Sequence, residues 1–136
     1  MKIFLSILSV FFCMLFTNNS NAQLKAVWEL PSGDTAVQSG VYRQVNNVLN
    51  VEPATKIELV FHGDAVYAML RDTGYFKEEL RKLVQRGVLL AVCNNSIKKR
   101  NINPSRLIAE SFVVPSAFAE LIRKQQEGWS YIKAGD

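Results

Sequence analysis

The sequence predicts an α/β fold, a three-layer sandwich with a roughly five-stranded, mainly parallel sheet flanked by helices. Short runs rich in valine, isoleucine and leucine alternate with segments whose apolar residues recur every three or four positions. The alternation continues without repeats, low-complexity tracts or linkers, as expected for a single domain. Strands that alternate with helices in this way form parallel βαβ units.

Five short apolar runs are the predicted strands. KAVWEL and IELVF are each followed by residues that end a strand, PSGDT in the first case and His-Gly-Asp in the second. VLLAV has no polar alternation, which is typical of a strand covered on both faces. SFVV ends at a proline, and WSYI follows a glycine. The predicted strands are 25–30, 57–61, 88–92, 111–114 and 129–132.

Helical spacing of apolar residues places helices between these strands. The first helix carries valines three or four residues apart, opposite polar side chains. Its apolar positions are Val37, Val41, Val45 and Val48. One or two helical turns are expected over 66–70. The next helix ends at Gly87, which is placed as its C-terminal cap residue. Its apolar face is Phe76, Leu80, Leu83 and Val84.

Two further helices are predicted in the second half of the chain. A short helix is expected to begin near Pro104, within the segment 103–110. The last helix is predicted to start with Ser116 as its cap and to end at Gly128. Its inward, apolar face is predicted at Phe118, Leu121 and Ile122.

The amino-terminal segment has the three parts of a secretory signal peptide. Lys2 is positively charged, residues 3–16 are apolar, and a short polar stretch ends at Ala22. The apolar run is shorter than the about 20 residues that a membrane-spanning helix needs. We therefore predict a bacterial signal peptide at 1–22, a single domain at 23–136, and a periplasmic or secreted protein with no membrane contact after cleavage.

Cleavage would leave Cys93 as the single cysteine, so that no internal disulfide can form. Cys13 leaves with the signal peptide, and it lies inside the apolar run, where lipid attachment is not expected. Loss of Lys2 lowers the net charge of +4 by one. This charge is too small to indicate nucleic-acid binding, and the basic run 98–100 has no aromatic residues interleaved for base stacking. No nucleic-acid partner is predicted.

Two rare residues end predicted strands. His62 follows the second strand and Cys93 follows the third, and they are the only histidine and the only cysteine of the mature chain. Open α/β sheets bind ligands beyond the carboxyl ends of their strands. Asn94, Asn95 and Ser96 come next and are predicted to cap a helical turn that starts near Ile97. The N–H groups at such a helix start favour the thiolate.

Cys93 is therefore a candidate nucleophile, and His62 a candidate base or proton donor. Candidate ligand-binding residues are Gly63, Asn94, Asn95 and Ser96. Cys93 as a small buried hydrophobe and His62 as a backbone-bonded loop residue are the simpler alternatives. One cysteine and one histidine fall short of a four-ligand zinc shell, and no metal or cofactor is predicted. The sequence has no glycine-rich phosphate loop and no Ser-His-Asp order.

The motifs VFHGDAV, LLAVCNNS and FVVPSAFAELIRKQQEGWSYIKAG resemble the DsrE/DsrF-like (YchN-like) family of small sulfur-handling α/β proteins, and most closely its exported branch. The resemblance covers about 26–135. It implies a parallel sheet flanked by helices, assembly as homo-trimers or hexamers, and a persulfide sulfur carried on the cysteine that matches Cys93. His62-Gly63 matches a His-Gly pair of the exported branch. Ala117 departs from the glycine usual there.

The resemblance predicts an exported sulfur-carrier or thiol-relay protein. It would accept sulfane sulfur on Cys93 and pass it to a partner, with the donor and acceptor proteins unidentified. Such a chain is at most a sulfurtransferase-like carrier. The alternatives are an oligomeric module that binds a small ligand without chemistry, with Cys93 as packing, and a thiol redox sensor that passes through sulfenic acid.

Overall fold

The computed structural model describes residues 22–134. These residues form a five-stranded sheet of order β4-β3-β2-β1-β5, in which every neighbouring pair is parallel. The strands are β1 Lys25–Leu30, β2 Lys56–Phe61, β3 Leu89–Cys93, β4 Ser111–Val114 and β5 Ser130–Lys133. The predicted fold class is confirmed. The predicted signal peptide lies outside the described residues except for Ala22.

Helices connect these strands. The α-helices are α1 Thr35–Val51, α2 Lys77–Gln85, α3 Asn94–Lys99 and α4 Ala117–Gln126, and 3₁₀ helices span Gly63–Met69 and Pro104–Arg106. The Asp34 carboxylate caps α1 by accepting hydrogen bonds from two N–H groups of its first turn. Gly87 has φ +89° directly after α2, which is the cap conformation that the sequence predicts. No helix within 22–134 is long and apolar enough to cross a membrane.

The order of the strands reverses once. From β1 to β4 the chain moves one strand at a time in a single direction, and α1, α2 and α3 pack on one face of the sheet. The chain then returns through α4 across the opposite face to reach β5, beside β1. The first face carries the larger core, with fully buried side chains that include Leu59 and Leu90. We call the second face, which α4 covers, the α4 face.

The orientation of α4 corrects the sequence prediction. Leu121 is buried as expected, but Phe118 and Ile122 are 61% and 57% exposed. The side of α4 that meets the sheet instead carries Glu120 and Lys124. The physical reason lies in the sheet, because the buried carboxylate of Glu58 on β2 faces α4 and pairs with the Lys124 ammonium.

Candidate active site around Cys93

Cys93 lies at the carboxyl edge of the sheet, where the chain changes from one face to the other. It is the last residue of β3 and pairs in register with Val114, the last residue of β4. The chain leaves β3 into α3 towards the larger core, and it leaves β4 into α4 on the other face. Adjacent strand ends whose connections depart to opposite faces form the usual ligand site of an open α/β sheet.

The helix after Cys93 begins earlier than the sequence predicts. Asn94, Asn95 and Ser96 form the first turn of α3 rather than a cap before Ile97, and Cys93 itself occupies the N-cap position. Its backbone is extended, with φ −71° and ψ 118°, so the strand passes directly into the helix. The Cys93 side chain makes no capping hydrogen bond to the N–H groups of α3.

The hydrogen-bond donor to the sulfur comes from a different helix. The Ala117 N–H, at the first residue of α4, donates to Cys93 Sγ over 3.3 Å. Ser116 holds the N-cap position of α4, but its side chain makes no capping hydrogen bond. The sulfur of Cys93 therefore binds an N–H group at this helix start. Sequence reasoning gave Ala117 no role at the thiol, because only the pairing of β3 with β4 brings its N–H to Cys93.

The surroundings of Cys93 act on its thiol in opposite directions. Burial, with only 4% of the residue exposed, raises the pKa of the Cys93 thiol. The N–H groups of Ser96 and Ala117, the Ser96 hydroxyl and the Asn95 N–H lower it, and together they outweigh burial. The pKa of Cys93 is thus below its ordinary value, which favours the nucleophilic thiolate.

His62 is bound to a carboxylate on the neighbouring strand. Its Nε2 lies 2.8 Å from Glu29 Oε1, and the other oxygen of Glu29 accepts a hydrogen bond from the Tyr131 hydroxyl. This hydrogen bond, together with burial and the charge of Glu29, raises the pKa of Tyr131 to about 12. The His62 ring also packs on Phe118, with centroids 5.3 Å apart. Within residues 22–134, no hydrogen bond joins His62 to Cys93.

Sequence reasoning also missed Glu29 and Tyr131. The available signal is weak, because Glu29 is a single acidic residue that follows three apolar residues in the first strand. A carboxylate at such a position is 8% exposed here and needs partners, which His62 and Tyr131 supply.

Gly63 and Ser96 are joined by a hydrogen bond. The Gly63 N–H donates to Ser96 Oγ over 3.0 Å and links the start of the first 3₁₀ helix to α3. Gly63 has φ +55°, and a Cβ there would lie 2.8 Å from the Pro31 carbonyl oxygen, so only glycine fits. Ser96 is buried, whereas Asn94 is half-buried and Asn95 is exposed.

The basic run contributes little to the thiol. Lys98 and Lys99 are exposed, and Arg100 binds Asp64 over 2.7 Å, with its guanidinium 6.0 Å from the centre of the Tyr67 ring. In the part of the chain that the structure describes, no three His, Cys, Asp or Glu side chains converge as a metal site.

The fold and the site define a small, parallel α/β domain with a single strand-end thiol of lowered pKa. The family model of the DsrE/DsrF-like family matches residues 29–134, and the chain belongs to that family. A search of curated proteins finds no match.

Solved structures share the fold at low sequence identity. A protein of unknown function from Methanobacterium thermoautotrophicum, MTH1491, superposes with a TM-score of 0.78 at 23% identity, covering 82% of this chain and 99% of its own. The ychN protein from E. coli has a TM-score of 0.68 at 19% identity, covering 82% and 98%. BT1422 from Bacteroides thetaiotaomicron, also of unknown function, has a TM-score of 0.66 at 14% identity, covering 80% of this chain and 93% of its own. These matches establish the YchN-like fold of the chain.

Proposed function

We propose that the protein is an exported sulfur carrier that accepts sulfane sulfur on Cys93 and passes it to a partner protein. The observation that carries the proposal is the 3.3 Å hydrogen bond from the Ala117 N–H, at the start of α4, to Cys93 Sγ. A donor at a helix N-terminus stabilises the thiolate, which is the reacting form of cysteine. Membership of the DsrE/DsrF-like family is consistent with sulfur relay.

The proposed reaction is a sulfur transfer between thiols. The Cys93 thiolate attacks the outer sulfur of a persulfide donor, and a new S–S bond forms as the S–S bond of the donor breaks. The donor leaves as a thiolate with the electron pair. An acceptor thiolate then attacks the outer sulfur on Cys93 and restores the Cys93 thiolate. The carrier undergoes no net oxidation, so the cycle needs no external oxidant.

The other predicted site residues have places in this reaction. His62 is the candidate proton acceptor or donor, and because its Nε2 is bound to Glu29, proton transfer would fall to its Nδ1. Asn94 and Asn95 are the candidate polar contacts for the incoming donor, because they directly follow Cys93 and are less buried than it. Gly63 and Ser96 complete the candidate binding residues.

Intact mass spectrometry tests the proposal. The protein lacking residues 1–22 is incubated with a small sulfane donor, such as glutathione persulfide, and weighed without reduction. We expect the addition of one sulfur atom, which a dithiol removes, and no addition to the folded Cys93→Ser variant. A folded parent protein that gains no sulfur would contradict the proposal.

Export and self-assembly belong to the same proposal. Export predicts that protein recovered from the periplasm of its host begins at Gln23.

Assembly into trimers or hexamers is supported by apolar side chains exposed on the single chain described. They are Phe112, Phe118, Ile122 and Tyr131. A native mass equal to one chain at all concentrations tested would rule out the assembly.

A second candidate function is a ligand-binding module in which Cys93 only packs. The observation in its favour is that Cys93 belongs to the small core of the α4 face, with Ala91, Val114 and Leu121. In that case the folded protein would react with iodoacetamide only at its rate of unfolding. The sulfur-carrier proposal expects alkylation to exceed the unfolding rate and to follow the lowered thiol pKa.

A further inference from the structure

The turn formed by His62 and Gly63 touches α3, which begins directly after Cys93, and α4, whose first N–H group binds the Cys93 sulfur. The Gly63 N–H binds Ser96 Oγ in the first turn of α3, over 3.0 Å. The His62 ring packs on Phe118 in the first turn of α4, at 5.3 Å between centroids. One turn after β2 thus reaches the two helix starts on either side of the thiol.

The two contacts bear directly on the groups around the sulfur. Phe118 directly follows Ala117, whose N–H donates to Cys93 Sγ, so a shift of Phe118 moves that donor. The Ser96 hydroxyl accepts from Gly63, so its own proton is free to point towards another acceptor. Ser96 stands three residues after Cys93, in the same helical turn.

The turn itself is held rigidly. Gly63 has the positive φ of 55° and lies against Pro31 so closely that no side chain fits. His62 is anchored by the 2.8 Å contact of its Nε2 with Glu29, whose other oxygen is bound by Tyr131. The side chains of His62 and Glu29 are 14% and 11% exposed, so this anchor is largely shielded from water.

We propose that the His62-Gly63 turn is the positioning element of the site, acting on Cys93 through Phe118 at the start of α4 and through Ser96 at the start of α3. His62 acts in this role by its ring and its anchor, independently of any proton that its Nδ1 exchanges. The lowered pKa of the thiol is consistent with donors held in place in this way. The inference rests on the proposed function only in taking Cys93 as the reacting group.

A double-mutant cycle on the thiol pKa tests the route through Phe118. The variants are His62→Gln, Phe118→Ala and the double variant. His62→Gln keeps a hydrogen-bond donor for Glu29 but removes the ring. The thiol pKa is measured from the ultraviolet absorbance of the thiolate against pH. We expect each single variant to raise the pKa, and the double variant to raise it no further than the larger single effect, because both break the same contact.

Ser96 tests the second route. Loss of one hydrogen bond to a charged group is expected to raise the pKa of Cys93 by about one in Ser96→Ala. Ser96→Thr keeps the hydroxyl and should leave the pKa close to that of the parent protein.

Matched controls separate positioning from general loosening. Ile122 lies one turn after Phe118 on α4 and is similarly exposed, so Ile122→Ala should leave the thiol pKa unchanged. Ser39 is exposed on α1, and Ser39→Ala should also leave the thiol pKa unchanged. Thermal unfolding of every variant shows which ones fold. Phe118 is 61% exposed, so its alanine variant keeps the test available if His62→Gln does not fold.

Several outcomes would overturn the inference. They are an unchanged thiol pKa in folded Phe118→Ala, additive effects of His62→Gln and Phe118→Ala, or an equal rise in Ile122→Ala. A His62→Gln protein that reacts more slowly at an unchanged thiol pKa would show His62 to be a proton-transfer group instead. The measurement of the thiol pKa requires no sulfur donor. Failure of sulfur loading with the expected pKa pattern would therefore contradict the proposed function alone.

Discussion

The two faces of the sheet are built from different chemistry. Glu58 and Leu59 are neighbours on β2, both are 0% exposed, and their side chains point to opposite faces. Leu59 lies in the larger apolar core under α1 and α2. Glu58 lies under α4, on the face that also carries Glu29, His62 and Cys93. The comparison indicates that one face supplies most of the apolar stabilisation while the other holds the reactive and charged groups.

Within residues 22–134, the one cation paired with Glu58 is Lys124, which packs closely against it. Lys124 Nζ lies 2.8 Å from Glu58 Oε2 and 3.8 Å from Glu120 Oε1, and it stands 4.4 Å from the centre of the Trp129 ring. The contact with Glu58 is close but not aligned as a hydrogen bond, and within the described residues neither Glu58 oxygen has a hydrogen-bond partner. The ammonium charge of Lys124 is therefore the main compensation.

The largest loss of stability is expected for a substitution that removes the ammonium of Lys124 from Glu58. Lys124→Met leaves Glu58 charged, buried and unpaired, and should lower the free energy of unfolding by about 3–5 kcal/mol, measured by urea denaturation. Replacing both partners, in Glu58→Met with Lys124→Met, should recover most of the loss. Arg106→Met is the control, because Arg106 and its partner Asp72 are 43% and 49% exposed. A loss no larger than that of the control would contradict the compensation of Glu58 by Lys124.

The apolar face is tested by a substitution on β2 that creates a cavity in the larger core. Leu59→Ala should lower the free energy of unfolding by about 2–5 kcal/mol, because it removes buried methyl groups and leaves a void. The thiol pKa of Cys93 should stay unchanged, since Leu59 points away from it. A shift of that pKa in a folded Leu59→Ala protein would contradict the separation of the two faces.

The smallest expected effect is a pH dependence of stability from Cys93. The folded protein lowers the pKa of this thiol, so the resulting stabilisation is complete above the pKa of the unfolded thiol, about 8.5. It is lost as the pH falls through the lower, folded-state pKa. The stability of the parent relative to Cys93→Ala should therefore rise with pH across that interval. A flat difference in unfolding free energy would indicate an unperturbed thiol.

Most strands and helices were predictable because their signals are local. VLLAV reads as a strand covered on both faces, and in the structure Leu90, Ala91 and Val92 are all 0% exposed. Gly87 marks the end of α2 by its left-handed conformation. The start of α3 was wrongly predicted, because Asn94 and Asn95 resemble cap residues and nothing in their sequence excludes a helix that begins directly at Cys93.

The rotation of α4 shows where the amphipathic rule fails. The rule turns Phe118 and Ile122 inward because apolar side chains usually pack against a sheet. The sheet here offers a carboxylate at Glu58, so the ammonium of Lys124 faces it and the two apolar side chains stay exposed on the described chain. That preference belongs to a pair of residues far apart in sequence, and no local pattern contains it.

The sequence by itself determined the α/β class, the strand-end position of Cys93 and the presence of one cysteine within residues 22–134, because these follow from local periodicity and composition. Only the tertiary structure decided which groups surround the thiol. The strand order places β3 beside β4, which brings the Ala117 N–H to Cys93, and β2 beside β1, which brings Glu29 to His62. Hydrogen bonds act over about 3 Å, whereas the residues they join here are 24 and 33 positions apart.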